Sequence, residues 1–86
     1  MNINKKLIAR VRRIKGQIEG IERALNEQQP CAEVLRQLAS ARGAITGLTT
    51  QLMEDHLHNH VVAAKNQDEC ILGAKELIDI IKSYMK

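Results

Sequence analysis

Aromatic side chains are almost missing from this chain: it has no Trp and no Phe, and Tyr84 is its single aromatic residue. Proteins that read single-stranded nucleic acid stack bases on several aromatic platforms, so that mode of recognition lacks its main component. Cysteine is scarce too. Cys31 and Cys70 are the only two and do not share CxxC spacing, which leaves no disulfide framework and no zinc ribbon; in a reducing compartment both are free thiols. Long apolar runs are absent. Nothing approaches the roughly 20 residues needed to span a bilayer, and no apolar run of signal-peptide length stands at the N-terminus. A cytoplasmic protein with no membrane partner is expected. No phosphate loop, Ser/His/Asp set or paired catalytic carboxylates can be found, so an enzyme is not expected.

Acidic residues are missing from one end only. Lys5, Lys6, Arg10, Arg12, Arg13 and Lys15 all precede the first acid, Glu19, while the rest of the chain carries more acidic than basic groups within an overall charge of +3. Such a block is often a solvated helix face, but it also suits a polyanion, and the shortage of aromatics favours duplex DNA. Arg10, Arg12, Arg13 and Lys15 are the candidate phosphate contacts, with Arg42 a further one.

What the chain has in abundance is helical period. Leu7, Val11, Ile14, Ile18, Ile21 and Leu25 recur at spacings of four and three, which predicts a first helix over about residues 4–27 that packs on other helices. Gly16 and Gly20, four apart, mark one side of it where a neighbour could come close. Pro30 has no N–H to lose and suits the first turn of a second helix. Leu38, Ala41, Ile45, Leu48 and Leu52 carry an apolar stripe along that helix, and no strong stop appears before about Lys65. A helix of that length is on the order of 50 Å long, more than a single domain of 86 residues is wide, and is expected to lie against another chain. "KNQDE" reads as a polar turn, followed by a short third helix in "CILGAKELIDIIKSYMK" with Leu77, Ile78, Ile81 and Met85 inward. The predicted fold is all-α, one domain over residues 1–86, three helices with a long central one.

The stretch "MEDHLHNHVV" holds all three histidines. On a regular helix His56 and His60 share a face one turn apart, the spacing with which two imidazoles grip one metal ion, whereas His58 points about 200° away. Such a pair is often a surface coincidence, and a site needs a third ligand. Cys31 supplies one only between chains, because 25 residues of helix separate it from His56 by roughly 37 Å. If two second helices pair antiparallel about a twofold axis, Cys31 of one protomer meets His56 and His60 of the other, and two identical sites result. A helix N-terminus also favours the thiolate that a metal requires. A cysteine at that position serves equally well as a small buried apolar residue, and spacing leaves both roles open.

"RVRRIKGQIEGI", one cysteine opening helix two, "RQLASARGAITGL", "HLHNH" and "ELIDIIKSYMK", in that order, resemble the CsoR/RcnR family of copper-sensing and nickel/cobalt-sensing transcriptional repressors across nearly the whole chain. The resemblance implies antiparallel dimers built as four-helix bundles, assembling to homotetramers, that bind operator DNA and release it when an inducer occupies the interchain site. It places Cys31 and His56 on the family's thiol and imidazole ligands. His60 falls where copper sensors carry a second cysteine and nickel/cobalt sensors a histidine. One thiolate with two imidazoles suits Ni(II), Co(II) or Zn(II) better than Cu(I), so copper is set aside.

Glu76 matches the acidic residue that couples to the first histidine in copper sensors, where an outer carboxylate would orient the ring; Pro30 replaces the tyrosine of that relay. The chain departs from nickel/cobalt members in lacking their early histidine within "MNINKK". It departs from the family's formaldehyde sensors in having Asn2 where they have an N-terminal proline, and from persulfide sensors in having His60 for a cysteine. A formaldehyde response through Cys31, or a metal-binding helical protein with no DNA partner, are the alternatives; the basic block speaks against the latter. Cys70 and His58 receive no role.

Overall fold

A computed structural model describes residues 2–85, with side chains from residue 5 onward. It contains α1 (Asn2–Asn26), α2 (Cys31–Leu57), a π-helical turn (His58–Val62) and α3 (Gln67–Tyr84), and no strand occurs among the described residues. The all-α class with three helices and a long central one is thus observed, and two compact units, divided after Thr49, make up the chain.

In the first unit α1 ends in a Schellman motif. Gln28 takes φ 55°, its N–H donates to the Leu25 carbonyl at 3.1 Å, and the Gln29 N–H reaches back to the Ala24 carbonyl at 2.9 Å. Those two bonds satisfy carbonyls that the helix end would leave orphaned. The left-handed position costs a residue with a Cβ about 1–2 kcal/mol, and the sequence offers glutamine where glycine is usual. Pro30 is the N-cap of α2 rather than a first-turn residue: its carbonyl accepts from Glu33 and Val34 at 2.9 and 3.2 Å, and Cys31 becomes the first helical residue. Ile21 and Ala24 meet Val34 and Ala41 in the buried cluster of this unit. Burying an Ile or Val stabilises by about 1.5–3 kcal/mol each. Gln17 Nε2 donates to the Ser40 hydroxyl at 3.1 Å, tying the same two helices.

Most of the predicted seam stays uncovered within one chain. Val11, Ile18 and Leu25 of α1, and Leu38, Ile45 and Leu52 of α2, are 43–61% exposed. Gly16 does not mark a close approach inside the chain, since a Cβ there would meet nothing within 4 Å, and at Gly20 it would reach only the ends of Gln37 and Arg23.

The second unit departs most from the sequence reading. Regular α-helix stops at Leu57 rather than running to Lys65, and the Ala63 N–H donates to the His58 carbonyl at 2.9 Å, the i→i+5 bond of a π turn. Helix α3 begins at Gln67, three residues earlier than expected, because Asn66 is its N-cap and not part of a loop. Asn66 Oδ1 accepts the Glu69 N–H at 2.9 Å, while Glu69 Oε2 accepts the Lys65 N–H at 3.3 Å. This is the reciprocal logic of a capping box, and Asp68 and Glu69 also face the positive end of the helix dipole. Of the four residues expected to point inward, Leu77 is half-buried, while Ile78, Ile81 and Met85 are exposed in the protomer.

Candidate metal centre and nucleic-acid interface

His56 lies in the last turn of α2 and its side chain is only 22% exposed. Its Nε2 sits 3.0 Å from the Gly73 carbonyl oxygen of α3. A carbonyl can only accept, so Nε2 carries the proton of this bond, and in the neutral ring the lone pair is left on Nδ1. Glu76 Oε1 is farther from the same nitrogen, at 4.0 Å, on a side chain 53% exposed. The expected carboxylate partner is therefore nearby, and a backbone carbonyl holds the hydrogen-bonding position.

His60 stands one turn on, inside the π segment, with its ring centroid 4.8 Å from that of His56. The two imidazoles stay neighbours even though the helix between them is not regular. His60 is exposed and borders an open groove of about 360 Å³ whose walls include Lys65, Glu69, Leu72 and Glu76. His58 is also exposed.

Gly73 is the residue that reading the sequence missed. It is buried, and a Cβ built on it would lie 2.8 Å from the His60 carbonyl carbon and 3.0 Å from its Cβ, with the carbonyl oxygen nearer still. Only glycine admits the π turn this closely. The available signal was an isolated glycine inside the apolar helix pattern "CILGAKEL", which often marks a packing contact.

Cys31 is an exposed free thiol in the first turn of α2, and Cys70 is a half-buried one. Among the described residues of a single chain, no three His, Cys, Asp or Glu side chains gather as a metal-binding group. Two neighbouring imidazoles, one with its Nδ1 lone pair left over by the Gly73 bond, form a partial donor set that fits a borderline ion and needs donors from elsewhere.

The basic block occupies two sides of α1. Arg10 and Arg13 line a groove of about 260 Å³ with Gln17, Ser40, Gly43 and Gly47, and Arg10 Nη1 donates to the Gly47 carbonyl at a long 3.4 Å. Arg12 and Lys15, three apart, project from another side. All four, and Arg42 on α2, are exposed. No helix among the described residues is long and apolar enough to cross a membrane.

Comparison with known proteins gives these features a context. The family model described as metal-sensitive transcriptional repressor matches residues 3–83. The transcriptional repressor RcnR of Citrobacter koseri is 33% identical over 81 residues, covering 94% of this chain and 90% of that protein. Among solved structures, a variant of the formaldehyde-responsive regulator FrmR from Salmonella enterica serovar Typhimurium superposes with a TM-score of 0.88 at 38% identity, covering 94% and 92% of the two chains. The copper-sensing repressor CsoR with Cu(I) from Geobacillus thermodenitrificans superposes with a TM-score of 0.93 at 26% identity, covering 100% and 90%.

Proposed function

We propose that this chain, which belongs to the family of metal-sensitive transcriptional repressors, holds operator DNA in its metal-free form and releases it on binding Ni(II) or Co(II), with Zn(II) the third option. Cys31 of one protomer and His56 and His60 of its partner are the protein ligands, within an antiparallel homodimer that assembles further to a homotetramer in the cytoplasm. The observation that supports this most is the pair of side-by-side imidazoles, 4.8 Å apart, with His56 presenting Nδ1 rather than Nε2. One thiolate with two imidazoles favours borderline ions over Cu(I). The half-exposed apolar residues along α1 and α2 supply the surface that a bundle-forming partner would cover.

The family's members are repressors and not enzymes, and duplex DNA is the natural partner of the basic block. Arg10, Arg12, Arg13, Lys15 and Arg42 are the proposed phosphate contacts, and affinity should fall steeply with salt. Release requires that metal binding favour a conformation with weaker DNA affinity. Linkage then makes DNA weaken metal binding by the same factor, typically about 5- to 150-fold. A gel-shift titration of the operator with Ni(II), Co(II), Zn(II), Cu(I) and formaldehyde tests this: nickel or cobalt should release DNA at the lowest concentration. Release by Cu(I) alone, or no DNA binding at all, would contradict it.

A second reading has one observation in its favour. Cys31 is an exposed thiol, and the formaldehyde-responsive neighbour shares 38% of its sequence with this chain. On that reading formaldehyde, and no metal, would release DNA in the same titration.

A further inference from the structure

We infer that Gly73 is the positioning residue for the imidazole pair, fixing His56 through its carbonyl and His60 through its missing side chain. The inference deepens the proposed metal site and rests on His56 and His60 being ligands of it. Two independent contacts converge on this one residue of α3. Its carbonyl oxygen accepts from His56 Nε2 at 3.0 Å, which fixes the ring's tautomer and leaves Nδ1 with the lone pair. Its bare Cα admits the His60 backbone to within a distance that a Cβ would occupy, the His60 carbonyl carbon standing 2.8 Å from such an atom.

The alternatives for holding the pair are weaker. Glu76 lies 4.0 Å from His56 and is half exposed, and His60 has no side-chain hydrogen bond given by the described residues. The π turn that carries His60 is wound to a register that α-helix would not have, and Gly73 is the place where that turn rests on α3. A shape requirement and a hydrogen bond at one residue therefore set the spacing of both rings before any ion arrives. The same contact makes α3 sensitive to ligation, because pulling either imidazole moves a group packed on Gly73.

The test uses the full-length protein and cobalt(II) alone as the probe. In metal-free wild type, at a pH where the rings are neutral, 15N–1H correlation spectra of the imidazoles, assigned by single histidine substitutions, should show His56 protonated at Nε2. Protonation at Nδ1 would overturn the proposal, and this arm needs no variant to fold. Gly73→Ala keeps the carbonyl, but its Cβ would collide with the His60 backbone and push the π turn off α3, so it should shift the His56 and His60 ring signals together and lower cobalt affinity roughly 10- to 100-fold, the scale on which disturbed orienting contacts act. Lys75→Gly is the control: it weakens α3 by helix propensity at an exposed position without touching either ring, and should leave signals and affinity as in wild type. If Gly73→Ala keeps wild-type signals and wild-type cobalt affinity, Gly73 positions nothing. Should wild type show the expected tautomer and the Gly73→Ala shift yet bind no cobalt, the positioning stands and the metal-sensing function fails.

Discussion

Glu76→Gln separates two ways of holding His56. The substitution keeps the side chain's size and removes its charge. In the structure Glu76 Oε1 is 4.0 Å from His56 Nε2, on a side chain 53% exposed, while the Gly73 carbonyl is at 3.0 Å. Two full charges at 4 Å interact by about 1 kcal/mol in water and about 4 kcal/mol near a protein surface, but exposed pairs measured directly give about 0.2–1 kcal/mol. A ring that binds a metal is itself neutral, and the exposed carboxylate meets the ion's charge through solvent, which keeps the interaction at the low end of these figures. Glu76→Gln should therefore lower cobalt(II) affinity by less than about fivefold, because about 1.4 kcal/mol corresponds to tenfold. The assay is a competition titration against a chelator, followed by cobalt absorbance at low and at high salt. The small difference should shrink as salt screens it. A loss of tenfold or more, unchanged by salt, would mean that the carboxylate orients the ring and that the Gly73 carbonyl does not.

Three further outcomes follow from the geometry. Gln28→Gly should stabilise the protein by about 0.5–1 kcal/mol, since relief of the left-handed strain exceeds the entropy that glycine adds to the unfolded chain; urea unfolding at fixed protein concentration measures it, and a destabilised variant would contradict the Schellman assignment. Arg10→Ala with Arg13→Ala should weaken operator binding and reduce the slope of log affinity against log salt by about 2, with helical content by circular dichroism unchanged; an unaltered slope removes both from the interface. His60→Ala should impair the nickel or cobalt response while His58→Ala leaves it intact, as gel shifts with each variant would show, and the reverse pattern would mean that the wrong imidazole has been assigned.

Much of this fold is written in local pattern. The four-and-three spacing of Leu7, Val11, Ile14, Ile18 and Ile21 suffices to place α1, and Pro30 marks the start of α2 to within one residue. The histidine pair follows from a spacing of four. What local pattern could not supply comes from contacts distant in sequence or from polar groups with two readings. Asn66 and Glu69 look like loop residues until their side chains are seen to bond the Glu69 and Lys65 N–H groups. The π turn cannot be read from "HNHVV", because its register depends on a glycine 13 residues beyond His60. Glu76, matched through the family resemblance, does lie near His56, at 4.0 Å, while the atom at hydrogen-bond distance belongs to the Gly73 backbone, which no local pattern announces. The seam residues Val11, Ile18 and Leu25, expected to pack, stay 48–61% exposed within the protomer, and they belong to the surface that the proposed dimer would cover.

Complementation tests the interchain site most directly. Cys31→Ala and His56→Ala chains, each unable to respond alone, are mixed in equal amounts, allowed to exchange subunits, and titrated with cobalt(II). In each heterodimer one site has lost Cys31 and His56 and keeps only His60, and the other has kept Cys31 from one chain with His56 and His60 from its partner, so roughly a quarter of all sites should recover wild-type affinity and spectrum. No recovery after verified subunit exchange would contradict the shared site.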